Sequence, residues 1–349
     1  MHHNRPGALA LIVCLSAAPI VRAGDLHERP PIVAHFGAWG ECLAFSPNSK
    51  TLASSSYAQE PLDRDDRRAL FRLFDLASGK ERFALVYRPG RMHSLAFNPD
   101  ATLLATACSN YCIELWEIVT DKDDVSLTKH STITNDMHEA AVLVFGPGGK
   151  QLACADANHL TVWDVATGKK SASLRPSVTS GSGMISPDLA TFASPNFEDV
   201  DLWDVASGKV RSSLLDHRGA VHHVAYTADG KTVVALSGRS VNRQKQFTQV
   251  KLWDTTNEKE KATLKERPGS VRNMAITPDG TMLALQEEQA LGGDTELVLL
   301  SLPEGQVLAK VAFEGANAQP QHVTFSRDGK VLVASCRDGT IRSWDLPPK

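Results

Sequence analysis

The sequence has few of the features by which enzymes and nucleic-acid-binding proteins are usually recognised. Basic residues are not in excess, because 37 Lys and Arg stand against 40 Asp and Glu. A nucleic-acid-binding protein would show a basic stripe, so the composition argues against nucleic acid as a partner. No Ser-His-Asp order, pair of carboxylates or glycine-rich phosphate loop stands out in the sequence, so no catalytic motif is indicated.

Cysteine is scarce, with six residues in a chain of 349. The spacing of the cysteines matches no zinc-binding pattern. Cys108 and Cys112 flank a three-residue turn and could face each other across a hairpin. A disulfide between them and a pair of reduced, buried thiols are both open at this point.

Long apolar runs are confined to the N-terminus. Residues 8–21 form an apolar run behind Arg5, and Val21-Arg22-Ala23 is a small-residue cleavage pattern before Gly24. This pattern is typical of a bacterial secretory signal peptide over residues 1–23, with a buried N-terminal helix as the alternative. The run is too short to span a bilayer comfortably. We therefore expect an exported mature protein, periplasmic or extracellular, without a transmembrane segment.

One phrase of ten residues returns throughout the chain. It reads LTVWDVATGK at residues 160–169, VDLWDVASGK at 200–209 and VKLWDTTNEK at 250–259. With its degenerate forms it occurs seven times at steps of 40 to 50 residues, centred on Phe74-Asp75, Trp116-Glu117, Trp163-Asp164, Trp203-Asp204, Trp253-Asp254, Leu300-Ser301 and Trp344-Asp345. A period in the forties is typical of a propeller or a solenoid.

A second phrase recurs in step with the first. It contains a Pro/Asp/Gly turn followed by a short alternating apolar run, and its seven copies begin at Phe45, Phe97, Phe145, Ile185, Tyr226, Ile276 and Phe325. The pattern predicts a β-hairpin, the Trp-Asp phrase a third strand, and the Ser-Gly-Lys turn after it a fourth, such as residues 209–215. Four antiparallel strands without a helical period make one propeller blade.

These paired phrases resemble the repeats of the WD-repeat family over roughly residues 30–346. The resemblance implies an all-β fold, a single seven-bladed propeller of four-stranded antiparallel blades around a channel. Many family members stabilise each blade with a buried hydrogen-bond set of His, Ser/Thr, Asp and Trp. Here only the fifth blade presents the His, as His217, and no blade has the full set. We therefore expect the blades to depend on apolar packing and the Trp indoles to need other acceptors.

The last repeat has three strands, and residues 31–35 form a spare extended segment ahead of the first repeat. Pairing the two would satisfy two open sheet edges at once. The sequence therefore predicts closure of the ring by an N-terminal strand in the last blade. It also predicts that residues 24–29 contribute little to stability.

The candidate partner-binding residues come from aligning the segments that enter the blades. They should ring the channel mouth on the face that carries the loops, and they are Trp39, Arg91, Glu139, His93, His222 and Arg272. Trp39 beside Arg91 has the composition of a binding hot spot, although Trp39 could equally pack on a neighbouring blade. Three turns between second and third strands appear long, at residues 56–71, 237–249 and 286–296. They are either partner-binding loops or tolerated insertions.

The histidines do not suggest a metal site. His222 and His223 are adjacent on a strand and should point to opposite sides of it, and His93 lies three blades away. We expect no metal and no other cofactor. The favoured function is a non-enzymatic scaffold that binds a protein or peptide on the loop-rich face. The alternatives are an exported hydrolase or lactonase-like enzyme with a site at the channel mouth, and an envelope scaffold within a larger complex.

Overall fold

The structure is a computed structural model. It describes residues 26–33, 40–57, 69–87, 92–108, 111–121, 124–134, 142–156, 159–176, 183–242, 245–288, 295–313 and 318–347. Apart from a single 3₁₀ turn at Pro147–Gly149, the regular structure of these residues is β-strand.

The described strands are, in chain order, β1 (His27–Glu28), β2 (Ile32–Val33), β3 (Gly40–Phe45), β4 (Thr51–Tyr57), β5 (Ala69–Asp75), β6 (Glu81–Tyr87), β7 (Met92–Phe97), β8 (Leu103–Cys108), β9 (Cys112–Asp121), β10 (Asp124–Thr134), β11 (Val142–Phe145), β12 (Gln151–Ala155), β13 (Leu160–Asp164), β14 (Lys170–Leu174), β15 (Met184–Ile185), β16 (Thr191–Asn196), β17 (Asp199–Asp204), β18 (Lys209–Leu214), β19 (Ala220–Tyr226), β20 (Thr232–Asn242), β21 (Lys245–Asp254), β22 (Glu260–Thr263), β23 (Arg267–Pro268), β24 (Ser270–Ile276), β25 (Met282–Glu288), β26 (Thr295–Ser301), β27 (Val307–Phe313), β28 (Pro320–Phe325), β29 (Val331–Cys336) and β30 (Thr340–Asp345).

The strands form seven antiparallel sheets, as the repeats predict. Blades one to seven begin at β3, β7, β11, β15, β19, β24 and β28. Each blade is ordered along the chain from its first strand outward, except that β1 and β2 form the outer edge of blade seven. The first strand of blade seven contacts the first strand of blade one. The ring of seven blades is therefore closed.

A tight turn joins the first and second strands of every blade. In blade six, the Thr277 hydroxyl donates to the Asp279 carboxylate at 2.7 Å and accepts from the Met282 N–H at 3.0 Å. Gly280 closes the turn by donating its N–H to the Thr277 carbonyl, with φ at +71°. The Pro/Asp/Gly phrase is thus hairpin chemistry, in which the short polar side chains bind their own backbone.

The Trp-Asp phrase serves two purposes within one blade. The Trp163 side chain is 1% exposed, whereas Asp164 bends the chain by accepting the N–H of Thr167 at 2.8 Å. The hydroxyl of Thr167 donates to the same carboxylate at 2.7 Å, and this hydrogen bond lowers the pKa of Asp164. The phrase recurs because each blade needs one large apolar side chain beside one self-capped turn.

Seven apolar clusters hold the ring together, and each cluster lies between two adjacent blades. The cluster between blades three and four, for example, contains Ala153, Leu160, Phe192 and Val205. The cluster between blades seven and one joins Leu52 and Phe74 to Val333 and is equally buried. A single blade would expose both of its faces to water, so each blade depends on its two neighbours.

An N-terminal strand closes the ring, and it extends further than the sequence predicts. Ile32 pairs with Ile341, as expected for the segment at residues 31–35. His27 and Glu28 also pair with β30, so strand pairing begins ahead of residue 30. Leu26 is buried in the cluster between blades six and seven. The premise that residues 24–29 lie outside the fold is therefore wrong, because two of them form a strand and a third is buried in the core.

Two hairpins differ from their sequence interpretation. Residues 237–249 are not a loop, since β20 and β21 remain paired out to Asn242 and Lys245. In blade two, β9 continues past Glu117 to Asp121 and pairs with β10 along its whole length, so the expected turn after Trp116-Glu117 does not form there. Glu117 lies within the ladder opposite Thr128. Continued cross-strand pairing replaces the turn in both places.

Candidate interaction surface

One end of the ring carries the turns between second and third strands together with the segments that enter the blades. We call this end the tip face. In blade five, Ala220 at the start of β19 lies opposite Gly238 of β20, which in turn lies opposite Thr248 of β21. The antiparallel order places the equivalent residues of every blade at the same end.

Two large aromatic side chains project from the tip face. Phe197, in the turn between β16 and β17, is 61% exposed, and Tyr111, in the turn between β8 and β9, is 49% exposed. Both residues have positive φ, at 55° and 60°, which is uncommon for bulky side chains. An exposed aromatic on a tightly held turn is a common feature of protein-binding surfaces.

A pocket of about 240 Å³ opens on the tip face between blades five and six. Its walls come from β19, from the long hairpin of β20 and β21, and from the start of β24, and its lining residues are Ala220, His222, Leu236, Ser237, Gly238, Arg239, Ser240, Gln246, Phe247, Thr248, Gly269, Ser270 and Val271. The hairpin that the sequence suggested as a loop is thus the main wall of a concave site.

Arg239 belongs to the same hairpin, and strand alternation puts its side chain on the face opposite Gly238. Its guanidinium donates to both carboxylate oxygens of Glu266, at 3.4 and 3.0 Å, and lies 5.1 Å from the centre of the Phe247 ring. The hydrogen bond from Arg239 lowers the pKa of Glu266, so this carboxylate is ionised. The Arg218 guanidinium approaches the same carboxylate at 3.7 Å. Two arginines therefore share one acid beside the long hairpin.

Blade six continues the charged rim. Arg272 donates to Glu288 at 2.8 Å, and this hydrogen bond raises the pKa of Arg272. Arg267 binds Glu287 through both carboxylate oxygens. Glu287 and Glu288 are buried, whereas the Arg272 side chain is 60% exposed. The carboxylates lie inside the blade, and the Arg272 cation faces solvent.

His217 connects blades four and five beneath the Phe197 turn. Its Nε2 accepts the indole N–H of Trp253 at 3.2 Å, so Nδ1, 3.1 Å from the Glu198 carbonyl, carries the proton and donates. Burial lowers the pKa of His217 to about 4, so the ring is neutral near pH 7. Trp116 finds a different acceptor, the Thr106 hydroxyl at 3.1 Å. Both acceptors are residue types of the His, Ser/Thr, Asp and Trp set, and the buried indole N–H of Trp203 has no hydrogen-bond partner among the described residues. The expectation that the indoles find other acceptors is therefore not met at these three residues.

The structure describes three of the six predicted site residues. Trp39, Arg91 and Glu139 lie outside the described residues, as does the predicted signal peptide at residues 1–23. His93, His222 and Arg272 occupy equivalent positions, because each is the extra residue of a β-bulge in the first strand of its blade. Bulges commonly redirect a side chain at functional sites. Of the three, His222 lines the pocket and Arg272 follows two residues that line it.

Among the described residues the cysteines form no disulfide, and this includes Cys108 and Cys112, which are cross-strand partners. Their mutual hydrogen bond and their burial raise the pKa of the Cys108 thiol. In the same part of the chain, no three His, Cys, Asp or Glu side chains are close enough to hold a metal ion. The described ranges also contain no helix that is long and apolar enough to cross a membrane.

Sequence reasoning missed the residues that make the pocket a site. In the sequence, Gly238 and Thr248 fall within the long turn expected at residues 237–249, and nothing marks them as site residues. Residues 235–240 read ALSGRS and show no clear period of two, so the sequence carries no local signal for the longer hairpin.

The family model for the WD domain, G-beta repeat, matches residues 88–117 and 310–345. Periodic tryptophan protein 2 of Arabidopsis thaliana is 31% identical over 22% of this chain and 8% of its own length. MST50-interacting protein 11 of Pyricularia oryzae is 25% identical over 40% of this chain and 39% of its own. Chromatin assembly factor 1 subunit FAS2 homolog of Oryza sativa is 35% identical over 20% of this chain and 15% of its own. The chain thus matches less than two fifths of each of these relatives.

The solved structure of hydrazine synthase from Kuenenia stuttgartiensis superposes with a TM-score of 0.69. The match covers 90% of this chain and 98% of that one at 18% sequence identity, so it shows a shared fold and no more. The two matched repeats, the Trp-Asp turns and the closed ring of seven four-stranded blades together support a WD-repeat propeller.

Proposed function

We propose that this chain is a non-enzymatic scaffold that binds a protein or peptide partner on its tip face. The observation that carries the proposal is the pairing of exposed aromatics with an open pocket on one face. Phe197 and Tyr111 project from blades four and two, and the pocket opens between blades five and six. Aromatic anchors and concave sites provide most of the energy of protein interfaces.

The names of two relatives support a role in protein interactions. One is named as an interacting protein and one as a subunit of an assembly factor. The described turns of the tip face belong to separate blades, so their sequences can vary without disturbing the clusters between blades. A rigid ring with variable turns on its tip face suits a scaffold, because binding to a preformed surface costs little conformational entropy.

A matched pair of variants tests the proposal. Phe197→Ser with Tyr111→Ser removes two exposed aromatics from the tip face. Val86→Ser with Val210→Ser removes two exposed apolar side chains from β6 and β18, which are the outer strands of their blades. Cross-linked partners from the native cell, quantified by mass spectrometry, should be depleted for the first variant and retained by the second. Equal recovery by both variants would contradict the choice of face.

The predicted residues outside the described part of the chain belong to the same proposal. Trp39→Ala and Arg91→Ala should each weaken an identified partner by about 1–3 kcal/mol in calorimetry, the increment typical of a hot spot. The proposed site of action is outside the cytoplasm, on the basis of the N-terminal pattern in the sequence. N-terminal sequencing of the native protein should then begin at or near Gly24, whereas an intact Met1 on cytoplasmic material would refute export.

A further inference from the structure

Two cysteines lie opposite each other where the hairpin of blade two reaches the tip face. β8 ends at Cys108 and β9 begins at Cys112, and the two residues are partners across the hairpin. The Cα atoms of cross-strand partners lie about 4.5–5.5 Å apart, a separation that a disulfide spans. Directly opposite residues also point to the same face of a sheet. The register of this hairpin therefore brings two thiols together.

The surroundings of the two thiols hold them in contact. Both side chains belong to the apolar cluster between blades one and two, and Cys108 is 2% exposed and Cys112 8% exposed. The hydrogen bond between the two thiols, followed by burial, raises the pKa of Cys108. A thiol is a weak hydrogen-bond donor and acceptor, so this bond requires the sulfur atoms to be neighbours. The fold thus aligns the pair without any further contact.

The other described cysteines lack a cysteine across the strand. Their cross-strand partners are Ser55 for Cys42, Leu143 and Thr161 for Cys154, and Pro320 for Cys336. Cys42 belongs to the same cluster as the pair, but its Sγ lies 2.8 Å from the Ser55 hydroxyl. Within the described ranges, the register therefore favours a cross-strand disulfide at Cys108 and Cys112 alone.

Blade seven contains the same hairpin with a single thiol. Cys336 ends β29 and Thr340 begins β30, again with three residues between them. The residue before the third strand has positive φ in both turns, at 60° for Tyr111 and 81° for Gly339. The second thiol is thus replaced by a hydroxyl in blade seven, which makes this hairpin a natural comparison for blade two.

We propose that Cys108 and Cys112 form a disulfide that closes the hairpin of blade two covalently. The structure holds the pair as thiols, so the cross-link needs an oxidant, and a donor disulfide such as oxidised glutathione has the required chemistry. One cysteine thiolate attacks the donor and releases a donor thiolate, and the second cysteine thiolate attacks the mixed disulfide and releases another. The two protons of the protein thiols pass to the released donor thiolates. Two protein thiols and one donor disulfide thus give one protein disulfide and two donor thiols.

The cross-link forms during folding and not in the finished ring. Disulfide exchange needs an accessible thiolate, whereas both thiols are buried in the folded protein. The nearby Glu114 carboxylate also opposes ionisation and contributes to the raised pKa of Cys108. In the unfolded chain the two cysteines are exposed and only three residues apart. An exported chain meets an oxidising environment at this stage, so the reaction is consistent with the proposed location.

The cross-link also deepens the proposed function, and this part of the inference rests on that function. Tyr111, one of the two exposed aromatics of the tip face, lies in the turn that the two cysteines close. A closed turn has less conformational freedom, so a partner that contacts Tyr111 orders less of the chain on binding. The formation of the disulfide does not itself require a partner.

Refolding of the reduced full-length protein in a glutathione redox buffer tests the proposal. The folded fraction is denatured in urea, its thiols are alkylated with iodoacetamide, and it is digested with trypsin without reduction. Trypsin releases residues 92–122 as one peptide, which contains Cys108 and Cys112 and no other cysteine. We expect this peptide without alkyl groups and two hydrogens lighter than the dithiol, while the peptides of Cys42, Cys154 and Cys336 are alkylated. Alkylation of both cysteines in residues 92–122 would overturn the proposal.

Variants show whether the register causes the cross-link. Thr340→Cys supplies the second thiol of blade seven, and it should join residues 331–337 to residues 338–342 in a pair of peptides that the wild type does not give. Cys42→Ser is the matched control from the same cluster, and it should leave the disulfide of residues 92–122 in place. An alkylated Thr340→Cys hairpin would contradict the argument from register, and loss of the disulfide in Cys42→Ser would contradict the assignment of the pair.

Thermal melts with and without reductant measure what the disulfide contributes. The wild type should melt several degrees lower after reduction, because the unfolded chain regains freedom when the cross-link opens. Cys108→Ser with Cys112→Ser should melt at one temperature under both conditions. The result is separable from that of the proposed function: if the disulfide forms while Phe197→Ser with Tyr111→Ser keeps every cellular partner, the cross-link stands and the choice of binding face is wrong. A wild-type protein whose melting temperature does not respond to reductant would contradict a disulfide that constrains the fold.

Discussion

At the scale of single residues, His217 links two blades only while its ring is neutral. Its Nε2 accepts from Trp253 in its own blade, and its Nδ1–H donates to Glu198 of blade four. A protonated ring would have no acceptor for the indole. Because burial lowers the pKa of His217 to about 4, the folded state resists protonation that an unfolded histidine accepts near pH 6.5.

The stability of the ring should therefore fall on acidification. Between about pH 6.5 and pH 4 the unfolded chain binds a proton at residue 217 and the folded chain does not, so the free energy of unfolding decreases as the pH falls. For His217 alone we expect a loss of about 2 kcal/mol between pH 7 and pH 4.5. Chemical denaturation across this range should show a shallower pH dependence for His217→Gln than for the wild type.

A control separates this effect from general acid sensitivity. His222→Gln changes an exposed histidine of the same blade and should leave the pH dependence as in the wild type. His322, whose pKa burial also lowers to about 4, contributes equally to all three proteins. If the free energy of unfolding falls equally with pH for His217→Gln and the wild type, protonation of His217 does not destabilise the ring.

At the scale of elements, the seven turns between first and second strands share one backbone conformation. The residue that closes each turn has positive φ, and these residues are Ser49, Ala101, Gly149, Leu189, Gly230, Gly280 and Gly329. Glycine adopts this conformation without strain, whereas for a residue with a Cβ the positive φ costs about 1–2 kcal/mol of conformational free energy. Three of the seven turns thus carry a residue that is suboptimal for its backbone.

Exchanging residues at this position should change stability in opposite directions. Ala101→Gly relieves strain at φ +61° and should raise the free energy of unfolding by about 0.5–1 kcal/mol, after the entropic cost of a glycine in the unfolded chain. Gly280→Ala imposes strain and places a methyl group 2.7 Å from Thr227 Cγ2, so it should lower stability by about 2 kcal/mol. Urea denaturation measures both, and a destabilised Ala101→Gly would contradict the strain argument.

At the scale of the whole molecule, the N-terminal strand joins blade seven to blade one. Arg29 donates to the Asp345 carboxylate at 2.6 Å and to the Leu76 carbonyl of blade one at 3.2 Å. Glu28 accepts two hydrogen bonds from Arg342, at 2.6 and 2.8 Å. Without these contacts, the outer edge of β30 and the cluster beside Leu26 would face water.

Stepwise truncation should reveal both parts of this closure. A protein that begins at Pro30 loses β1 and Leu26, and its melting temperature should fall by several degrees relative to one that begins at Gly24. A protein that begins at Ala34 also loses the buried Ile32 and should melt lower still. If the protein that begins at Pro30 has the same melting temperature as the one that begins at Gly24, residues 31–35 alone close the ring.

The sequence alone determined the number of blades, their strand order and the region of closure. These follow from local chemistry, since a Thr-Pro-Asp-Gly turn or a Trp-Asp-X-X-Ser-Gly turn forms from its own side chains wherever it occurs. Repetition made the prediction robust, because seven copies in register leave few alternatives to a closed ring. The strand at His27–Glu28 has no such local signal, as two residues make too short a pattern.

The tertiary structure decided which of these residues meet. His222, Gly238, Thr248 and Val271 are distributed over 50 residues and two blades, and only the curvature of the ring brings them around one pocket. The bulges in the first strands and the continued pairing of β20 with β21 set the direction of those side chains. Such contacts depend on register and on packing between blades, which are properties of the closed ring and are not encoded in any single repeat.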